Sequence, residues 1–325
     1  MKIVLPGGSG QVGAVLTRDF QVAGHEVVIL GRGAQTNLHG ARHVQWDART
    51  FEGNWVNELE DADAVINLAG RSVNCRYTVD NRKLIMDSRV DSTRVIGEAI
   101  AAAQRPPRVW LQAATATIYA HRFDAPNDDA TGVIGGDEQG APDTWTFSIG
   151  VAKAWEAALE SAQTPRTRKV VLRSAMIMDP FKEGVFDTFL KLARFGLGGA
   201  MGSGRQYVSW MHDQDFYRAI GFLLEREDIA GPIILAAPNP LPNREFMREL
   251  REAWSIGFGL NATDWMLEIG TWALQTETEL VLKSRRVVPS KLLEAGFEFQ
   301  FPIWHDAAKD LVRRSREIAA DQRSV

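Results

Sequence analysis

Cysteine is almost absent from the 325-residue sequence, and the single one, Cys75, excludes an intrachain disulfide and any cysteine-cluster metal site and suits a reducing compartment. Long apolar runs are also missing, with no stretch reaching the roughly 20 residues that a membrane-spanning helix needs. The chain opens on a core-strand pattern instead of a charged segment before an apolar one, so a cytoplasmic location without a membrane anchor is expected. Neither sign of charge dominates, the net charge being −4, and the short basic clusters at 166–169 and 313–316 lie beside acids or on polar helical faces, which argues against nucleic acid as the ligand. No serine sits in a G-x-S-x-G elbow, so a hydrolase triad has no anchor. His39 and His43 are four apart, but Gly40 interrupts the helix that would bring them onto one face, and no metal site is expected. What is present is ordinary for a globular protein, 45% hydrophobic and 24% charged, with length for about two domains and no internal repeat.

The chain is organised around its start. Ile3-Val4-Leu5 feeds into Pro6-Gly7-Gly8-Ser9-Gly10-Gln11-Val12-Gly13, which fits both G-x-G-x-x-G and G-x-x-G-x-x-G. Glycines at these spacings let the loop turn, let backbone amides touch a pyrophosphate and let the helix pack closely on the strand. A helix over 12–22 points its amides at the phosphates, and a second strand over 26–30 completes the context. Past that strand stands Arg32 with no acid beside it; an arginine there accommodates a 2′-phosphate, so NADP is expected, the alternative being a solvated arginine at a strand end. A third strand over 43–46 ends at Asp47, a candidate to meet the adenine. A buried strand over 64–70 ends in Asn67-Leu68-Ala69-Gly70, whose small residues let the diphosphate and ribose pass close by.

Apolar strands alternate with helical stretches thereafter, the signature of βαβ units and a parallel sheet. The pattern predicts helices over 79–103, 148–162, 186–195 and up to 224, strands over 109–112, 169–172 and 233–236, and a long irregular excursion over 124–143 that lines the cofactor cleft. The stretch 196–204 holds five glycines and reads as a flexible or tightly folded loop beside Trp210. Beyond Pro238 a separate layer is expected, with helices over 243–254 and 264–274.

Asn67–Gly70 and Thr115–Tyr119 already resemble the extended short-chain dehydrogenase/reductase superfamily. Ser88-Arg89-Val90, Trp155-Glu156, Gly202-x-Gly204-x-Gln206, Ser209-Trp210-Met211-His212-x-x-Asp215, Asn243-x-Glu245-Phe246, Arg286-Val287-x-Pro289-x-Lys291-Leu292 and Gly296-Phe297-x-Phe299 are together similar to its atypical branch of SDR39U1/YfcH-like epimerase family proteins. The resemblance spans nearly the whole chain. It implies an α/β fold, a Rossmann doubly wound parallel sheet carrying NADP over 1–178 and 206–238, with a smaller C-terminal α+β substrate-side domain over 179–205 and 239–325. It also implies Arg89 at the cofactor, and Gly202, Gln206 and Trp210 on the substrate side. The partner implied is a small polar, sugar-like molecule, and an oligomer is compatible with it.

The superfamily's hydride chemistry rests on a tyrosine acid/base, a lysine one helical turn on, and a Ser/Thr that polarises the substrate oxygen. No tyrosine here has that lysine: Tyr77, Tyr119, Tyr207 and Tyr217 are followed four residues later by Asn81, Phe123, Met211 and Gly221. Counted back from Trp155-Glu156, the tyrosine position falls at Ser148 and the lysine position at Ala152, with Lys153 one place, about 100°, off. Thr115 matches the Ser/Thr position; it either polarises a carbonyl or satisfies a strand-end backbone group. Ser148 is a poor proton donor without a base beside it, and Tyr119 can substitute unless it is a core residue. Two readings follow: an NADP-dependent epimerase or oxidoreductase, or an NADP-binding protein with little or no turnover that serves as a sensor or regulator.

Overall fold

A computed structural model describes residues 1–33, 40–263, 266, 277 and 279–322. In chain order the first half contains β1 (Lys2–Pro6), α1 (Gln11–Val22), β2 (Glu26–Gly31), β3 (Arg42–Gln45), β4 (Ala64–Asn67), α2 (Val79–Ala102), β5 (Val109–Thr115) and α3 (Asp143–Ser161). The second half contains β6 (Arg168–Ser174), β7 (Met176–Met178), α4 (Val185–Arg194), β8 (Tyr207–Val208), β9 (Trp210–His212), α5 (Asp213–Glu225), β10 (Gly231–Leu235), β11 (Leu241–Pro242), α6 (Asn243–Trp254), α7 (Glu279–Leu282), α8 (Ser290–Glu294) and α9 (Trp304–Asp321).

Seven strands form one parallel sheet in the order β10-β6-β5-β4-β1-β2-β3. The chain winds outward from β1 to β3, returns to the other side of β1 and winds outward again through β4, β5, β6 and β10, so the order reverses between β1 and β4. In such sheets ligands sit outside the carboxyl ends of the strands at that reversal. Both faces are covered, which is why β1 reads as an unbroken apolar run: Ile3 and Leu5 enter one buried cluster with Leu16 and Phe20 of α1 and Phe216 and Ile220 of α5, while Val4 enters another with Val95 and Ile96 of α2 and Leu159 of α3.

A third cluster gathers Phe186, Phe189 and Leu190 of α4, Phe246, Met247 and Leu250 of α6, and Trp304, Ala307 and Leu311 of α9. Trp304 stacks on Phe246 at 4.0 Å between ring centres and meets Trp210 edge-on at 5.0 Å. Val208, Trp210 and Ala237, which the sequence grouped with the nucleotide-binding part, pack in this cluster. The helix α9 was not anticipated, although Trp304, Ala307, Ala308, Leu311 and Val312 follow the i, i+3, i+4, i+7, i+8 spacing of a buried helical face.

Two expectations shift. α3 begins at Asp143, five residues earlier than the pattern predicted, because Pro142 can precede a first turn and Asp143 complements its dipole; Ser148 therefore lies in the second turn. The excursion after Tyr119 is less irregular than its composition suggests, because it is tied at its start: the Asp129 carboxylate accepts from Ile234 N at 2.6 Å and Lys291 N at 3.0 Å, and Asn127 N donates to Arg286 O at 2.7 Å. The helix expected over 264–274 lies, but for one residue, outside the described residues. Among the described residues no helix is long and apolar enough to cross a membrane.

Candidate cofactor and active site

The loop Gly7–Gly13 sits at the sheet's reversal point. Gly7 takes φ +75°, and a Cβ there would lie 2.6 Å from the Ala69 Cα, so the loops after β1 and β4 touch through a glycine. Gly7 N donates to Leu30 O at 2.8 Å, Gly8 N to Leu5 O at 3.0 Å and Leu68 N to Pro6 O at 2.8 Å, which locks the two loops to the strand ends. A Cβ on Gly13 would run into the Gly8 backbone, the close helix–strand packing the spacing anticipates. Gly10 differs: its φ of −79° suits any residue, and a Cβ there would face open space apart from Gly7 O at 3.6 Å. Gly10 offers no side-chain cap, so among the described residues the first-turn amides of Gln11, Val12 and Gly13 have no side-chain partner, the donors that a helix start leaves open.

The neighbouring loop is shaped by buried amides. Asn67 Oδ1 accepts from Ala69 N at 3.0 Å, while its Nδ2 donates to Gln112 Oε1 at 3.0 Å, an acceptor shared with Trp110 Nε1 at 3.1 Å. Gly70 lies over the Arg89 guanidinium, whose Nη1 donates to Arg71 O and Ile85 O at 3.0 Å each. Burial pulls the Arg89 pKa down to about 10, and its Nη1 holds the loop from beneath. Arg32 is exposed at the end of β2. The exposed Asp47 carboxylate closes its own turn, accepting from Arg49 N and Thr50 N at 2.9 Å each and from Thr50 Oγ1 at 2.8 Å. Sequence reasoning missed Asp179, a buried carboxylate that accepts from the Gln11 side chain and from Phe181 N at 3.0 Å. Burial, with the Asp213 charge adding to it, pushes Asp179 up to about 6.

At the end of β5 the Thr115 hydroxyl accepts from Thr117 N at 3.1 Å, capping the 3-10 turn Ala116–Ile118, so the backbone role is filled. Tyr119 is a core residue: it is buried beside Ala116, Ile118 and Ala152, and its hydroxyl accepts from Arg173 Nη1 at 3.0 Å, with Arg173 paired to Glu156 at 2.7 Å. It is not a free acid/base. Ala152, at the lysine position, is fully buried in the same cluster, and the exposed Lys153 turns away, its ammonium against Gly136.

Ser148 has acquired partners that no local pattern announces. Its hydroxyl donates to Glu279 Oε2 at 2.5 Å, and Glu279 belongs to a buried group that includes Lys283 and Ser284. Lys283 Nζ donates to Thr117 O at 2.8 Å and Arg285 Nε to Thr117 Oγ1 at 3.1 Å, while Glu277 accepts from Tyr77 N at 2.7 Å. Thr117 and Tyr77 belong to the segments following β5 and β4, so this group lies at the carboxyl edge of the sheet.

Of the three residues expected on the substrate side, two are buried. Trp210 is fully buried in the third cluster and Gln206 nearly so, its Nε2 donating to Met201 O at 2.8 Å; Gly202 N donates to Ala262 O at 2.7 Å. The glycine loop 196–204 is thus tightly folded, tied along 260–262 and to Asn243, and a substrate contact for Trp210 does not fit a side chain without exposed surface.

Compared with known proteins, residues 3–236 match the family model described as NAD dependent epimerase/dehydratase family, and residues 262–311 match a domain of unknown function, DUF1731. The chain is 28% identical to the epimerase family protein YfhF of Bacillus subtilis, with all of both chains covered. It is also 28% identical to the human epimerase family protein SDR39U1, over 96% of this chain and 100% of that one. The crystal structure of the human protein with NADPH superposes with a TM-score of 0.82, at 26% identity over 96% of this chain and 99% of the other.

Proposed function

The chain belongs to the NAD dependent epimerase/dehydratase family, and from that premise we propose that it binds NADP(H) and acts as an epimerase or oxidoreductase on a small, polar, sugar-like molecule. The observation that carries this reading is the uncapped start of α1 at the sheet's reversal point, where Gly10 leaves open the space a diphosphate needs. The amides of Gln11, Val12 and Gly13 would hold the diphosphate, Leu68–Gly70 would pass along the ribose, and Arg32 would take the 2′-phosphate. The human relative crystallised with NADPH supports the same choice. When bound, the nicotinamide supplies a hydride donor or acceptor; the chain's residues bind, orient and handle protons. The net charge of −4 and the lone cysteine favour a cytoplasmic, small-molecule role over nucleic-acid binding. Equilibrium titration should give NADPH at least a tenfold tighter Kd than NADH, about 1.4 kcal/mol, with the gap shrinking in Arg32→Ala. Equal affinities would overturn the cofactor assignment.

A second reading, NADP binding with little turnover, is favoured by one observation: the lysine position is a buried alanine and Lys153 faces away from it. NADPH consumption assayed against nucleotide sugars and model carbonyls separates the two.

A further inference from the structure

We infer that Ser148 and Glu279 form the proton-transferring pair of this site, a substrate hydroxyl passing its proton to Ser148 Oγ as Ser148 passes its own to Glu279 Oε2. The inference rests on the cofactor reading above and supplies what that reading lacks, since a serine hydroxyl moves a proton at neutral pH only with a base beside it.

The geometry meets the requirement. The Ser148 hydroxyl is turned toward Glu279 at 2.5 Å and is also hydrogen-bonded with the Tyr77 phenol, which leaves Oγ acceptor capacity for one further donor. Glu279 is 1% exposed, and its second oxygen, Oε1, has no hydrogen-bond donor among the described residues. The nearest cations stand back, Arg285 Nη2 at 3.8 Å and Lys283 Nζ at 4.0 Å, with Lys283 directed at Thr117 O and Arg285 at Thr117 Oγ1 and Glu279 O. A structural ion pair would close to contact, because a buried acceptor left unpaired costs free energy. A carboxylate neutralised from a distance, with spare acceptor capacity, is suited to taking up a proton. The location fits as well: Ser148 stands at the superfamily's tyrosine position, and Thr117 and Tyr77 fix the group to the carboxyl edge of β5 and β4.

The neighbours set the roles. Tyr77 is pushed up to about 12 by burial and then by the Glu279 charge, against the Ser148 hydrogen bond and Arg285, so it stays a neutral phenol beside Ser148. Lys283, held down to about 8 by burial, is committed to Thr117 O. Burial raises Glu279 above the ordinary carboxylate range against the opposing pull of Arg285, the Ser148 hydrogen bond and Lys283, with Glu277 adding to the rise. That moves it toward the range in which a general base works best. In the transfer the substrate O–H and the original Oγ–H bonds break, a new Oγ–H and an Oε2–H form, and the negative charge passes from Glu279 to the substrate oxygen.

The test reads the carboxylate directly. Oxidised and reduced cofactor differ by one positive charge on the nicotinamide ring, so a carboxylate beside that ring must titrate differently in the two complexes. In protein labelled with 13C at the glutamate carboxyls, the Glu279 signal is assigned with Glu279→Gln, or, should that variant not fold, by its displacement in Ser148→Ala. The expected result is a Glu279 pKa about one unit lower with NADP+ than with NADPH, and a higher pKa in Ser148→Ala, which removes a donor to the charged form. Identical midpoints in the two complexes would overturn the relay and leave Glu279 a structural acid. Nicotinamide fluorescence measures binding separately: if neither form binds, the cofactor reading fails and the relay falls with it.

Discussion

Replacing Gly10 with alanine separates ligand approach from folding, because Gly10 is a loop glycine whose conformation and surroundings already accept a side chain. Its φ of −79° and ψ of 174° lie in the extended region, and the nearest atom to an added Cβ is Gly7 O at 3.6 Å, an ordinary contact. Folding should therefore be unharmed or favoured by about 0.4–1 kcal/mol, since alanine narrows the unfolded ensemble. Binding should suffer, because the methyl stands before the amides of Gln11, Val12 and Gly13. A loss of at least tenfold in NADPH affinity is expected, about 1.4 kcal/mol, and more for Gly10→Val. The neighbouring glycines provide the contrast. Gly13→Ala meets the Gly8 backbone and should lower stability by about 1–3 kcal/mol. Gly7→Ala combines φ +75° with an approach of 2.6 Å to Ala69 Cα, so a loss of at least about 1–2 kcal/mol is expected. Urea unfolding followed by circular dichroism, with NADPH titration of the folded protein, reads both quantities. A Gly10→Ala protein that binds NADPH like the wild type, or a Gly13→Ala protein as stable as the wild type, would refute the reasoning.

Three further outcomes follow from the buried groups. Asp179 sits above its ordinary 3.8, at about 6, so wild-type stability should fall as pH rises between those values, by at most about 3 kcal/mol; Asp179→Asn should flatten that slope, and parallel urea midpoints for the two proteins across this range would count against it. Trp210→Ala should cost about 3–5 kcal/mol of stability while NADPH affinity holds, whereas lost affinity at unchanged stability would return Trp210 to the cleft. Ser148→Tyr combined with Ala152→Lys, which rebuilds the superfamily's pair on paper, forces a lysine into the cluster of Ala116, Ile118 and Tyr119; a loss of at least about 3 kcal/mol and no gain in carbonyl reduction are expected, and brisk turnover by this variant would show that the helix can present a lysine after all.

The sequence by itself determined the nucleotide-binding half. Runs such as Ile3-Val4-Leu5 and Ala64-Val65-Ile66 are apolar throughout because parallel strands are covered on both faces, and the glycines of 7–13 follow from local backbone demands; both are properties of contiguous residues. The absence of the tyrosine–lysine pair was equally legible, being a matter of spacing along one helix. Tertiary structure decided the rest. Whether Trp210 faces a cleft or a core depends on Trp304, 94 residues away, and whether Ser148 has a base depends on Glu279, 131 residues away. No periodicity encodes such pairs, because they arise when separately formed elements pack. Asp129, Asp179 and Glu279 look like surface acids in sequence, and only the surrounding fold buries Asp179 and Glu279 and half-buries Asp129 against named partners. The sequence thus set the glycine loop at the sheet's reversal point, and the packing of Glu277 and residues 279–285 against the segments after β4 and β5 set which groups stand beside Ser148.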